Sequence, residues 1–115
     1  MKSRTITLCG KDVEVIYCAA TETGFETLRD KSMGVFAPGE GEATTEDYIA
    51  LGFAGIIAAY TRRGEDSPIT SADILYDATP AEVQSLIVTI LELRNEWYQV
   101  PSIVKPESKR GKRKN

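Results

Sequence analysis

The chain contains no histidine, and that single absence removes several kinds of chemistry at once. A His-based triad, an imidazole general base, a His-ligated metal site and a histidine pH switch are all excluded. Acid–base work is left to carboxylates, lysines, tyrosines or cysteines. Cysteine is scarce as well: the two, Cys9 and Cys18, stand at no metal-like spacing and form no dense disulfide framework, as expected of a cytoplasmic protein. No apolar run approaches the roughly 18 residues of a membrane span. Residues 51–60 are interrupted by Gly52 and Gly55 and followed at once by Arg62 and Arg63. Behind Met1 come Lys2, Ser3, Arg4 and Thr5 in place of a signal peptide's apolar core. A phosphate loop is missing too, since Gly39-Glu40-Gly41-Glu42 is an acidic, anion-repelling turn. The expectation is a cytoplasmic protein with no membrane contact, no metal and no cofactor.

The charge that is present is unevenly spread over the 115 residues. Residues 105–115 carry six basic side chains against Glu107, a net of +5, whereas the remaining 104 carry 8 basic and 16 acidic groups, a net of -8. An acidic body with a basic tail is therefore expected: a single α+β domain over 1–104, and a disordered segment over 105–115, where no apolar residue is available to bury.

The body opens with period-two alternation. Ile6 and Leu8, then Val13 and Val15, flank Cys9-Gly10-Lys11-Asp12. This predicts a hairpin turning at Gly10-Lys11, with position 8 opposite 13 and 6 opposite 15, and one apolar face. The same register places Cys18 opposite Ser3, roughly 20 Å from Cys9, too far for a disulfide. Thr23-Gly24-Phe25-Glu26 has capping-box form and predicts a short helix over 24–31. Val35-Phe36-Ala37 is a candidate third strand, which a marginal two-stranded hairpin needs.

Thr44 and Asp47 open a helix running to position 60 or 61, with Ile49, Phe53, Ile56, Ile57 and Tyr60 on one stripe. Ala50, Ala54 and Ala58 form a second row, which reads as ordinary helix preference rather than close helix approach. Gly64 and Pro68 close this segment. Thr70 and Asp73 start a short helix over 71–76. Thr79-Pro80-Ala81-Glu82 starts the last one, whose stripe is Val83, Leu86, Ile87, Ile90, Leu91, Arg94, Trp97 and Tyr98 and which stops before Pro101. The helical half is expected to pack on the hairpin.

Three chemistries compete for the remaining side chains. Asp73 and Asp77 lie one helical turn apart, as paired carboxylates in an enzyme must, but helix-start charge explains them better. Cys9 and Cys18 lack the activating base a thiol nucleophile needs. Lys109, Arg110, Lys112, Arg113 and Lys114 form a run able to contact phosphates, which makes a nucleic-acid-associated accessory protein the alternative function. Against this, the acidic body has no basic helix face. The small core favours assembly with other chains, and Ile49, Phe53, Val83, Trp97 and Tyr98 are the apolar positions expected to mediate it.

In element order the chain resembles the small tail assembly chaperones of long-tailed bacteriophages and prophages. The resemblance rests on the hairpin Thr5-Ile6-Thr7-Leu8 with Val13-Glu14-Val15-Ile16, the segment Gly24-Phe25-Glu26-Thr27-Leu28, and Ile69-Thr70-Ser71-Ala72-Asp73-Ile74-Leu75 followed by Thr79-Pro80-Ala81-Glu82-Val83. It spans roughly residues 4–101. It implies a non-enzymatic, self-associating protein in the bacterial host cytoplasm. Its partners would be the tape measure protein, whose apolar helices it keeps soluble, and the tail tube protein that replaces it. The basic tail has no counterpart in the resemblance.

Overall fold

The structure is a computed structural model that describes residues 2–37, 39 and 41–99. The expected stop at Pro101 and the basic tail lie outside the described residues. Two strands, β1 (Ser3–Leu8) and β2 (Lys11–Ile16), form an antiparallel hairpin. Four helices follow: α1 (Ala19–Arg29), α2 (Thr45–Arg62), α3 (Ser71–Asp77) and α4 (Pro80–Tyr98). The architecture is α+β, a hairpin packed on helices. Among the described residues, no helix is long and apolar enough to cross a membrane.

The hairpin register differs from expectation by two residues. Leu8 pairs with Lys11 and Ser3 with Ile16, so Ile6 faces Val13 and Arg4 faces Val15. The two turn residues are Cys9 and Gly10, both left-handed with φ +54° and +76°. Two consecutive positive φ angles define the type I′ turn, whose twist matches the strands. The II′ reading failed because cysteine gives no advance sign of accepting a left-handed backbone. The apolar membership of the inner face is unchanged, since a shift of two preserves which side each residue faces.

Cys18 lies beyond the strand as the N-cap of α1, which begins five residues earlier than expected. Its backbone N–H donates to Thr21 Oγ1 at 3.1 Å, and that hydroxyl donates to the Ile16 carbonyl at 3.2 Å. The misleading Thr23–Glu26 pair sits mid-helix. Thr23 Oγ1 bonds back to the Ala19 and Ala20 carbonyls, and Glu26 Oε2 instead receives the Met33 N–H. The expected third strand at 35–37 is absent among the described residues; Met33–Phe36 form a 3-10 turn capped by Ser32 Oγ. There Phe36 stacks on Phe25 and Tyr48 at ring separations of 5.0 and 5.2 Å. This aromatic packing overrides the strand preference of Val35 and Phe36.

Helix α2 is the centre of the molecule, and its burial extends far beyond the expected stripe. Leu51 and Ile56 are fully enclosed, and Gly52, Ala54 and Gly55 face three different neighbours. Leu86 of α4 covers Gly52. A Cβ at Gly55 would stand 2.7 Å from the Ile16 carbonyl oxygen and 2.9 Å from Val15, so glycine allows β2 to lie against the helix. Ala54 meets Gly24 of α1, where a Cβ would come within 3.3 Å. The alanine row thus does mark a close helix–helix approach at this point, contrary to expectation. Helix α4 is rotated from its sequence stripe: Leu86, Thr89, Ile90 and Leu93 are buried, and Val83, Ile87, Leu91 and Arg94 sit half-buried on the flank. The wide apolar arc left the centre of the face ambiguous, and the fit of Leu86 and Ile90 over the α2 glycines sets it.

Candidate interaction groove

The clearest candidate site is an apolar groove bounded by α1, α2 and α3. Ile49 and Phe53, one turn apart on α2, form its floor with Ala50, and Leu28 of α1 and Leu75 of α3 stand on its two sides. Both leucines are 44% exposed, whereas Ile49 and Phe53 retain 8% each. Tyr76, next to Leu75, is 84% exposed. Arg29, Glu46 and Ser71 complete the lining, with Arg29 and Glu46 paired across 3.8 Å. Apolar walls with a charged rim suit the apolar side of an amphipathic helix.

Two devices build the groove from the sequence. The Gly24–Ala54 approach brings α1 against α2, and Asp47 fastens the end of α1 to the start of α2. The Asp47 side chain is wholly buried, and it accepts from Arg29 Nε at 2.8 Å, from Lys31 Nζ at 3.0 Å and from the Thr44 N–H at 2.9 Å. Burial opposes its charge, but the Thr44 N–H, Lys31 and Arg29 outweigh that and hold the carboxyl well below the usual carboxylate range. On the other side, Thr70 caps α3, and Ile74 anchors it in the core. A helix of seven residues with Ile74 turned inward has Leu75 and Tyr76 left for the surface.

A second, polar cleft lies at the hairpin turn, lined by Cys9, Lys11, Asp73, Asp77, Thr79 and Glu82. Its acids serve the chain's own backbone. Glu82 Oε1 accepts from the Thr79 N–H at 3.0 Å and the Cys9 N–H at 3.2 Å, which lowers its pKa, and Asp73 Oδ2 accepts from the Thr70 N–H. The Cys9 thiol is pushed up by burial and by the nearby Glu82 and Asp73 carboxylates, away from a reactive thiolate. Asp77 is exposed, and among the described residues no group of three or more Cys, Asp or Glu is arranged to hold a metal ion. This geometry caps two helices and ties the turn to α4.

The structure separates the five apolar positions expected to mediate assembly. Ile49 and Phe53 come together in the groove. Val83 lies half-buried on α4, and Trp97 and Tyr98 close the far end of that helix against Tyr17, at ring separations of 5.4 and 6.4 Å. The Tyr17 and Tyr98 hydroxyls both donate to Glu22 Oε2, the first at 2.6 Å. Burial and the Glu22 carboxylate keep Tyr17 protonated far above the ordinary phenol value. Lys109, Arg110, Lys112, Arg113 and Lys114 lie outside the described residues. The sequence reading missed Leu28 and Leu75 as surface residues; the adjacent Ile74-Leu75 pair on a short helix was the available signal, because one helix face cannot bury both.

No protein-family model matches the chain, and no curated protein or solved structure matches it.

Proposed function

We propose that this protein is a non-enzymatic assembly chaperone of the phage-tail kind, acting in the bacterial cytoplasm. It self-associates and shields apolar helices of a tape measure protein until tail tube subunits take its place. The observation that carries this reading is the groove, where Leu28 and Leu75 stand exposed over the Ile49–Phe53 floor. An apolar channel flanked by Arg29 and Glu46 accepts the hydrophobic side of a helix and leaves its polar side in water. The net charge of -8 on residues 1–104 keeps such a surface soluble.

The test is titration of the full chain with an amphipathic helical peptide from the tape measure protein, followed calorimetrically. Leu28→Glu and Leu75→Glu each replace a partly exposed side chain, so the fold should be retained with a melting temperature within a few degrees. Each is expected to weaken binding about tenfold or more. Equal affinity of wild type and both variants, or no binding by wild type, overturns the reading.

A further inference from the structure

The two edges of the hairpin are not equivalent. In an antiparallel hairpin closed by a two-residue turn, the pair flanking the turn exchanges hydrogen bonds, and every second pair does the same. Leu8–Lys11, Ile6–Val13 and Arg4–Val15 are those pairs here. The N–H and C=O groups of the intervening residues point outward: Asp12, Glu14 and Ile16 on β2, and Ser3, Thr5 and Thr7 on β1.

The β2 edge is engaged by the chain's own groups at Glu14 and Ile16. The Glu14 N–H donates to Tyr60 Oη at 3.1 Å, and the Ile16 carbonyl accepts from Thr21 Oγ1 and lies against α2 at Gly55. The β1 edge has no such cover among the described residues. Ser3, Thr5 and Thr7 are all exposed, and the strand pairs with β2 over six residues without a bulge or a proline. Open, regular edges of this kind template pairing with another strand.

We infer that a second copy of this chain pairs antiparallel along β1, about a two-fold axis at Thr5, to give one four-stranded sheet and a closed dimer. The occupant follows from the edges themselves. With β2 engaged at Glu14 and Ile16, head-to-tail addition would have to displace those contacts, whereas the β1 of another copy meets an open β1 along its whole length, and growth then stops at two. Centring on Thr5 opposes Thr5 to Thr5, Ser3 to Thr7 and Thr7 to Ser3, so all three outward residues of each strand pair. Centring one residue later leaves only the Thr5–Thr7 pairs within the strands. The facing hydroxyl side chains are uncharged and form favourable cross-strand pairs. On the inner face Arg4 comes opposite Ile6, its charge already held by Glu92 and Glu96 at 2.8 and 2.7 Å.

This inference deepens the self-association in the proposed function, and its test leaves the groove untouched, so the two fail separately. The full chain is measured by light scattering after size exclusion at about 1 µM to 1 mM. Thr5→Lys sets two like charges opposite each other across the dimer and, within the hairpin, an attractive pair between the new ammonium and Glu14. Thr5→Pro removes the outward N–H without touching the internal ladder. The expected result is a concentration-dependent dimer for wild type. Thr5→Lys should raise its dissociation constant at least tenfold with an unchanged circular dichroism spectrum, and a folded Thr5→Pro should be monomeric. A monomeric wild type, a Thr5→Lys variant that dimerises like wild type, or wild-type assemblies larger than two overturn the inference.

Discussion

At the level of single residues, Asp47 is the buried charge among the described residues. Its carboxylate has no contact with solvent and depends on the Thr44 N–H, Arg29 and Lys31 for the hydration it has lost. Removing a buried charge partner commonly costs about 3–5 kcal/mol. Arg29 and Lys31 reach water at their outer sides, and a carboxamide in place of the carboxylate would keep one acceptor, so Asp47→Asn is expected to cost about 2 kcal/mol at pH 7. Because the folded pKa is lowered, the unfolded chain takes up the proton first on acidification. The stabilisation is therefore complete above the unfolded carboxylate value of about 3.9 and is lost as pH falls toward the folded value. Urea unfolding at pH 7 and pH 3 should show the gap between wild type and Asp47→Asn narrowing at the lower pH. A constant gap would mean that the charge itself contributes nothing.

At the level of elements, the start of α1 is the place where local chemistry and sequence pattern part company. Cys18 holds the N-cap position, and its thiol is a weak acceptor for the free N–H groups of the first turn. Serine is a preferred cap of similar size, so Cys18→Ser should stabilise the protein by about 0.5–1 kcal/mol, seen as a higher urea midpoint with unchanged slope. An unchanged or lower midpoint would show that the sulfur's packing against Ala58 and Ala59 outweighs the cap. The same residue explains what was legible beforehand. Helices opened by Thr44, Thr70 and Thr79 could be placed from sequence because each threonine accepts from the N–H three residues on, and Asp47, Asp73 and Glu82 return the bond. Helix α1 could not, because its cap is a cysteine and Thr23 with Glu26 imitates one further along. The groove was half legible. Ile49 and Phe53 follow from helical spacing, but Leu28 and Leu75 become its sides only through the tertiary placement of α1 and α3.

At the level of the whole molecule, burial is distributed unevenly around α2, and this bears on how the groove admits an occupant. Between Leu51 and Ile56 every residue of α2 is buried, with α1, the hairpin and α4 all packed against the helix. Helix α3 buries only Ile74, packs on α2 and meets the hairpin turn where the Cys9 thiol donates to the Asp73 carbonyl at 3.4 Å. Segments with little buried apolar surface open locally, whereas amides at the centre of a core exchange only when the whole domain unfolds. Native-state hydrogen exchange should therefore give the α2 amides between positions 51 and 59 the global unfolding free energy. The α3 amides of residues 74–77 should fall at least about 2 kcal/mol below it. A loosely held α3 makes Leu75 a movable side of the groove, able to swing outward from the fixed Ile49–Phe53 floor and admit a bulky apolar helix. Binding would then slow exchange in α3 far more than in α2, since α2 is already enclosed by its own neighbours and has little protection left to gain. Equal protection of the two helices in the free protein would instead define a rigid groove that admits only slender side chains.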